Sequence, residues 1–316
     1  MLVLLLNSAR PFAVAVAAAA LPVGASAQQE RLSQVAVVID RNDAPERINF
    51  ASKLDMHSQR IASAGCNAEA GIGGMTALGY FNASSGEFER ILDALEDGDR
   101  FIGIVNPEAD PRILRRVAAL SELWAPIKED ATAVIQGGLS AVPEEDAAAL
   151  LEAPAQLLDA SRRLTSEVLG HYADPSALLT ADALTIDIMG RARTMPQVLS
   201  WHACQMANGY APPGTDEALL DDMALYGRML DALRNGWSDA GIEAPSDPDI
   251  VAALDALDAR WREVRPLFAT LAGGDVPDAE TRTRIFDAMN DLTAGMNDVA
   301  TLQASVSKVD LGSRSN

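Results

Sequence analysis

The sequence has 316 residues, and its 45 acidic side chains outnumber the 25 basic ones, which gives a formal net charge of −20. A surface of this charge repels nucleic acid and anionic lipid, so we expect neither as a partner and no strong membrane binding by the mature chain. Aromatic residues are scarce, Ala and Leu are frequent, and apolar residues recur at intervals of three or four. These features predict an all-α protein.

Residues 1–27 have the features of a secretory signal peptide. An apolar stretch from about Phe12 to Leu21 is followed by a break at Pro22 and by Ala25-Ser26-Ala27, which is typical of a signal-peptidase site. We therefore expect cleavage after this segment and export to the periplasm. The alternative is an uncleaved N-terminal anchor in the membrane, although the apolar run is shorter than the roughly 20 residues of a spanning helix.

The remainder of the chain repeats itself. The two cysteines lie 138 positions apart, the difference between 204 and 66, and other uncommon residues recur at that spacing or at one residue less. Such pairs, in the same order in both halves, are hard to obtain by chance. The pairs are Lys53 with Arg191, Gln59 with Gln197, Cys66 with Cys204, Asp110-Pro111 with Asp247-Pro248, and Trp124 with Trp261.

Each repeat contains four helical patterns joined by short loops. Four such helices bury their apolar stripes most simply as an antiparallel bundle. The sequence therefore predicts two tandem four-helix bundles related by internal duplication, over residues 28–172 and 173–309. Asp174-Pro175 can break the chain between them, because a residue before proline disfavours the helical conformation. Residues 310–316 are expected to be a disordered tail.

One helix in each repeat carries a recognisable motif. Residues 48–62 read INFASKLDMHSQRIA, and residues 186–197 read IDIMGRARTMPQ. Together they resemble the signature helix of the NarX/PilJ-type sensor domain, the extracytoplasmic input domain of nitrate/nitrite sensor kinases and of type IV pili methyl-accepting chemotaxis transducers. The resemblance implies four-helix bundles that sense a small ligand outside the cytoplasm. No kinase or coiled-coil signalling segment follows the two repeats, so we expect no output domain in this chain.

The resemblance also implies a ligand site. In the nitrate sensors, the second arginine of the motif binds the anion where two copies of this helix meet in a dimer. The corresponding residues here are Arg193 in the second repeat and Asp55 in the first. A carboxylate repels an anion, so Asp55 departs from the family pattern. The candidate ligand-binding residues are Arg191, Arg193, Gln197, Lys53, Asp55, Gln59 and Arg60.

Helical spacing places the small and polar residues of each signature helix on one stripe. This stripe is either a solvated face or the contact between the two repeats. In the second case the repeats pack as an internal pseudo-dimer, and Asp55 pairs with Arg193 in the place of a free anion. Cys66 and Cys204 are then candidates for a disulfide, whereas separate bundles would bury each thiol as a small apolar residue.

The sequence contains few other residues that indicate a catalytic or metal site. No nucleophile, phosphate loop or metal motif is present, and the three histidines do not converge with the cysteines. Trp124 and Trp261 are expected to anchor the bundle cores. We therefore expect no enzyme activity, no cofactor and no metal.

The resulting hypothesis is a periplasmic protein that binds a small ligand, such as a nitrate- or nitrite-type anion, as a sensory accessory to a membrane sensor or envelope protein. The alternative is a ligand-free interaction or structural module that docks on an envelope, type IV pilus or chemosensory partner.

Overall fold

The computed structural model describes residues 43–172 and 180–314. The predicted signal peptide and the predicted break at Asp174-Pro175 lie outside these residues. Within the described part of the chain, no helix is both long enough and apolar enough to cross a membrane.

The described residues form eight α-helices and no β-strand, which confirms the predicted all-α class. Two single-turn 3₁₀ helices, Leu139–Ala141 and Ser238–Ala240, lie in the connections. The α-helices are α1 (Ala44–Glu69), α2 (Gly74–Asp97), α3 (Pro111–Gly137), α4 (Glu144–Tyr172), α5 (Thr180–Asn208), α6 (Thr215–Asn235), α7 (Pro248–Ala272) and α8 (Ala279–Arg314).

Helices α1 to α4 pack as one antiparallel four-helix bundle, and α5 to α8 pack as a second. The connection after the second helix of each bundle contains one isolated β-bridge, Asp99–Ile104 in the first and Trp237–Ile242 in the second. Both members of the second bridge lie 138 positions after those of the first, from 99 to 237 and from 104 to 242, which is also the separation of the two cysteines.

The third helices of the two bundles begin in the same way. The Asp110 carboxylate accepts a hydrogen bond from the Arg112 backbone N–H at 2.7 Å, and the Asp247 carboxylate accepts one from the Asp249 N–H at 2.8 Å. A proline follows each cap at the first helical position, where a missing N–H costs nothing. The repeated Asp-Pro pairs therefore mark equivalent helix starts.

Each bundle has its own apolar core, and a tryptophan anchors each one as predicted. Trp124 and Trp261 are both only 3% exposed. The ring of Trp124 lies 5.3 Å from that of Phe88, and the ring of Trp261 lies 5.0 Å from that of Tyr226. Aromatic pairs at these distances stabilise a core beyond the area that they bury.

Helix α1 has neighbours on nearly every side, because it packs against α2, α4, α5 and α8. The two bundles also share a side chain. Phe286 of α8 belongs to the core of the first bundle, and its ring lies 6.0 Å from the ring of Tyr80. A helix surrounded in this way buries its polar residues together with its apolar ones.

The last helix is longer than we expected. Helix α8 continues to Arg314, into residues 310–316, which the sequence led us to expect as a disordered tail. No proline occurs between Ala279 and Arg314, so the backbone can continue its i→i−4 hydrogen bonds.

Candidate functional site

The two signature helices lie side by side and parallel, and we call their contact the seam. It consists of Ser52, Asp55, Gln59 and Cys66 from α1, and of Gly190, Arg193, Gln197 and Cys204 from α5. The contacting pairs advance together along both helices, since Asn49 meets Arg193, Ser63 meets Gln197, and Cys66 meets Cys204. Arg193 and Gln197 are fully buried, and Asp55 is 2% exposed. The stripe is therefore a contact surface and not a solvated face.

The helices approach most closely at Gly190. A β-carbon placed on this residue would lie 2.5 Å from the Ser52 hydroxyl oxygen and 2.7 Å from the Ser52 β-carbon. Real β-carbons do not reach such distances, so only glycine fits opposite Ser52. The close approach brings the backbone of α1 within reach of the Arg193 side chain.

The guanidinium of Arg193 is bound by neutral oxygens of the protein. One terminal nitrogen donates to the Asn49 side-chain oxygen at 3.1 Å and to the Asn297 side-chain oxygen at 3.0 Å. The other donates to the Asn49 carbonyl at 3.0 Å and to the Ser52 hydroxyl at 2.8 Å. Burial lowers the pKa of Arg193 to about 9, and the charge of Asp55 opposes this shift. The acceptors that surround this arginine thus carry no full charge.

The predicted ion pair between Asp55 and Arg193 is not formed. Among the described residues, no carboxylate makes an ion pair with Arg193, and the Asp55 carboxylate instead accepts a long hydrogen bond of 3.5 Å from Thr165 of α4. Helical side chains lean toward the N-terminus of their helix, so the long Arg193 side chain reaches back to Asn49 and Ser52 and away from the level of Asp55. Burial raises the pKa of Asp55 to about 7.

The two motif glutamines connect the seam to the fourth helix of each bundle. The Gln59 amide donates to the Pro154 carbonyl of α4 at 2.7 Å. The Gln197 amide donates to Thr293 of α8 at 2.9 Å, while its oxygen accepts a hydrogen bond from Ser63 of α1 at 2.8 Å. These hydrogen bonds tie each signature helix to the fourth helix of its bundle.

A disulfide joins the two helices at the C-terminal end of the seam. Cys66 and Cys204 are bonded, and their α-carbons lie 6.3 Å apart. Asn208 is the last residue of α5, and its side-chain amide donates to the Cys204 carbonyl at 2.9 Å. The disulfide thus links the two bundles through cysteines that are 138 residues apart in the sequence.

The other predicted ligand residues lie beside the seam or outside it. The Lys53 ammonium lies 4.1 Å from the centre of the Phe50 ring, and burial together with Arg193 lowers its pKa to about 8. The Arg60 guanidinium stacks over Tyr80 at 5.2 Å. Arg191 is 44% exposed and donates to Asp187 at 2.8 Å. The seven candidates therefore do not converge on one empty site. Within residues 43–172 and 180–314, no cluster of three or more His, Cys, Asp or Glu side chains is placed to hold a metal ion.

Sequence reasoning missed a cleft in the first bundle, beside the disulfide. Its enclosed volume is about 100 Å³, and it lies between α1, α3 and α4. Trp201 and Tyr210 of the second bundle complete its wall. Among the described residues that line it, Glu69 is the only charged one, and its carboxylate accepts a hydrogen bond from the Tyr210 hydroxyl at 3.5 Å. The apolar lining includes Ile61, Phe81, Ile127, Ala131, Val134 and Ile135.

Parts of the chain are similar in sequence to known proteins. Residues 36–150 match the family model described as the type IV pili methyl-accepting chemotaxis transducer N-terminal domain. The chain is also 27% identical over 259 residues to AlkN of Alcanivorax borkumensis, which is described as a methyl-accepting chemotaxis protein. The alignment covers 79% of this chain and 33% of AlkN, so it includes residues of both bundles but only about a third of the relative's length. Most of the first bundle is thus similar to the N-terminal domain of type IV pili chemotaxis transducers.

Proposed function

We propose that this protein is a sensory module of a chemotaxis-type signalling system and that it acts in the cell envelope, outside the cytoplasm. The observation that carries this proposal is the seam. Two signature helices lie parallel, with Ser52 facing Gly190 and Cys66 bonded to Cys204. This is the arrangement that the resemblance to sensor domains leads us to expect between the two subunits of a sensor dimer, here within one chain.

The proposal includes an internal duplication. The second bundle repeats the cap, tryptophan, cysteine and β-bridge positions of the first at spacings of 137 or 138 residues, from 110 to 247 and from 66 to 204. Four features of different chemistry at nearly the same spacing support descent from one module. The second bundle then takes the place of a partner subunit.

The envelope location is supported by the disulfide and by the signal-like N-terminus. Disulfides persist in oxidising compartments such as the periplasm and are rare in the cytosol. Cys66 and Cys204 are bonded, and residues 1–27 end in Ala25-Ser26-Ala27. Export followed by oxidation accounts for both features.

The seam itself is a poor candidate for an anion site. A nitrate-type ligand is held best by a pair of N–H donors, but both terminal nitrogens of Arg193 already donate to Asn49, Ser52 and Asn297, which leaves only the buried Nε–H of this side chain. A nitrate titration is therefore expected to give no saturable heat. We propose instead that the seam holds the two bundles in register and that the ligand binds elsewhere.

The test is a deletion in the source bacterium, followed by measurement of directed movement in chemical gradients and of motility in uniform medium. We expect the directional response to at least one class of chemical to be lost while motility in uniform medium stays unchanged. Complementation with the full chain should restore the response. Unchanged responses to every gradient would overturn the sensory role.

A ligand-free interaction module remains the second candidate, and two exposed aromatic side chains favour it. Phe101 is 97% exposed and Trp237 is 56% exposed, and both lie in the connections that contain the β-bridges. Exposed aromatic residues in neighbouring loops are typical of protein contact sites. This candidate predicts that a Phe101→Ser, Trp237→Ser variant loses the behavioural response in the complementation assay but keeps its fold.

A further inference from the structure

The apolar cleft of the first bundle has a counterpart in the second. The smaller cavity is lined by Ser200, Ala203, Cys204 and Ala207, each 138 positions after a residue that lines the cleft. Those residues of the cleft are Ala62, Gly65, Cys66 and Glu69. The enclosed volume is about 10 Å³ in the second bundle against about 100 Å³ in the first. The same place in the two bundles is therefore open in one and nearly closed in the other.

The side chains around this place differ between the two bundles. Ala131 of α3, which lines the cleft, and Phe268 of α7 occupy equivalent positions, because each lies 21 residues after its helix cap, from 110 to 131 and from 247 to 268. Phe268 is fully buried in the core of the second bundle, where its ring lies 6.2 Å from that of Trp261. The smaller cavity is lined by Arg282 of α8, whose guanidinium donates to the Asn208 side chain at 2.8 Å, and by the apolar side chains of Leu271, Ile285 and Phe286. These side chains leave little open space in the second bundle.

We propose that the cleft of the first bundle binds one neutral, apolar small molecule per chain. The inference rests on the proposed sensory function and names its ligand class. Aliphatic and aromatic side chains form the walls, so a polar ligand would leave its hydrogen-bonding groups unpaired. Neither Lys nor Arg is among the described lining residues, and the carboxylate of Glu69 repels anions. The enclosed volume of about 100 Å³ is of the order of the apolar cavities that hold one small apolar molecule such as benzene.

The position of the cleft gives the ligand access to both bundles. Its walls include Cys66 of the disulfide, and Trp201 and Tyr210 come from the second bundle. A molecule bound there contacts α1 and α5 together at the end of the seam. Binding is therefore expected to stabilise the arrangement of one bundle against the other, which is the change that a sensor has to report.

The experiment uses the chain from residue 28 onward, which contains every described helix, and the neutral fluorescent probe N-phenyl-1-naphthylamine. The test variant Ala131→Phe adds an aromatic ring to a residue that lines the cleft. The matched control Ala259→Phe adds the same ring to an exposed position of α7. We expect saturable binding of one probe per wild-type chain, at least ten-fold weaker binding by Ala131→Phe, and unchanged binding by Ala259→Phe. Thermal unfolding checks that each variant is folded.

A second variant keeps the test valid if Ala131→Phe does not fold. Ile135→Asn places an amide in the cleft wall and is also expected to weaken binding at least ten-fold. The site is refuted if the wild type gives no saturable signal, or if the folded cleft variants bind as the wild type does. Lost chemotaxis in the deletion strain without probe binding would refute the site alone, whereas probe binding without any behavioural defect would refute the sensory role alone.

Discussion

The two bundles follow the same helix order but differ at many positions, two of which bear on the seam. At its centre the first bundle has Asp55 where the second has Arg193. Near its end the first bundle has Ala131 where the second has Phe268. The rest of the plan is alike, including the capped third helices and the buried tryptophans. The shared features are therefore those that each bundle needs in order to fold, whereas the differing positions make the pair of bundles asymmetric.

The difference at the centre follows from electrostatics. Two equivalent arginines facing each other across a buried contact would repel, because like charges interact strongly away from water. With Asp55 in one bundle, one guanidinium remains at this level of the seam, and Asn49, Ser52 and Asn297 accept the hydrogen bonds of its two terminal nitrogens. The burial of Asp55 then favours its neutral form. Joining two modules in one chain permits this asymmetry, which identical subunits cannot adopt.

The largest expected effect comes from breaking the covalent link between the bundles. The Cys66→Ser, Cys204→Ser double variant removes a disulfide that closes a loop of 138 residues. Loop closure of this length restricts the unfolded chain, so we expect the free energy of unfolding to fall by about 4 kcal/mol. Urea unfolding followed by circular dichroism measures the change. The reduced wild type serves as the control and should match the variant, and coincident curves for oxidised and reduced wild type would contradict the prediction.

The next effect tests the asymmetry at the centre of the seam. The pKa of Asp55 is about 7 in the folded protein against 3.8 for an exposed aspartate. Between these values the folded protein keeps a proton that the unfolded chain releases, so stability falls as pH rises from about 4 to 7 and stays low above pH 7. Asp55→Asn cannot ionise. Its free energy of unfolding should therefore exceed that of the wild type by about 3 kcal/mol at pH 8 and should equal it near pH 3.5.

His57 provides the control of opposite sign for this pH series. Burial holds the pKa of His57 well below its usual range, so the stability that depends on its neutral form is lost as pH falls below about 6.5. The free energy of unfolding of His57→Gln should therefore exceed that of the wild type only at acid pH. The interpretation of Asp55 fails if the difference between Asp55→Asn and wild type is the same at pH 3.5 and pH 8.

Much of the fold could be predicted because it depends on local patterns. The helical spacing of apolar residues, the Asp-Pro caps and the two tryptophans are read from a few neighbouring positions, and all of them appear in the structure. The contact between the two signature helices was one of two alternatives that the sequence allowed, the other being a solvated face. Because equivalent small and polar residues recurred on one stripe of each signature helix, a contact between the two stripes was the simplest way to bury them.

The partners of Arg193 and the cleft could not be predicted, for different reasons. Charge complementarity pointed from Arg193 to Asp55, but side-chain direction takes the guanidinium to Asn49 and Ser52, and direction is not read from residue types. The cleft depends on volumes contributed by several helices. A small residue such as Ala131, where the aligned second repeat has Phe268, does not by itself indicate whether the space beside it is filled.

A smaller effect is expected from closing the gap between the signature helices. Gly190→Ala would place a β-carbon 2.5 Å from the Ser52 hydroxyl, so α1 and α5 must separate, which costs about 2 kcal/mol of unfolding free energy. Adding Ser52→Gly should recover most of this loss. The control Gly170→Ala lies on α4 with no atom within 4 Å of the new β-carbon, and it should stabilise slightly through helix propensity. Equal effects at both glycines would show that the seam is not tightly packed.

The smallest effect is expected at the surface, where the charges of both bundles are solvated. Arg163 and Asp159 form an ion pair at 2.7 Å, with side chains that are 61% and 62% exposed. Exposed pairs of this kind contribute at most about 0.5 kcal/mol, and salt screens them. Arg163→Ala should therefore change the free energy of unfolding by less than that, at pH 5 and at pH 8 alike, and the change should vanish in 1 M NaCl. A larger effect would mean that the exposed face of α4 is covered by another chain.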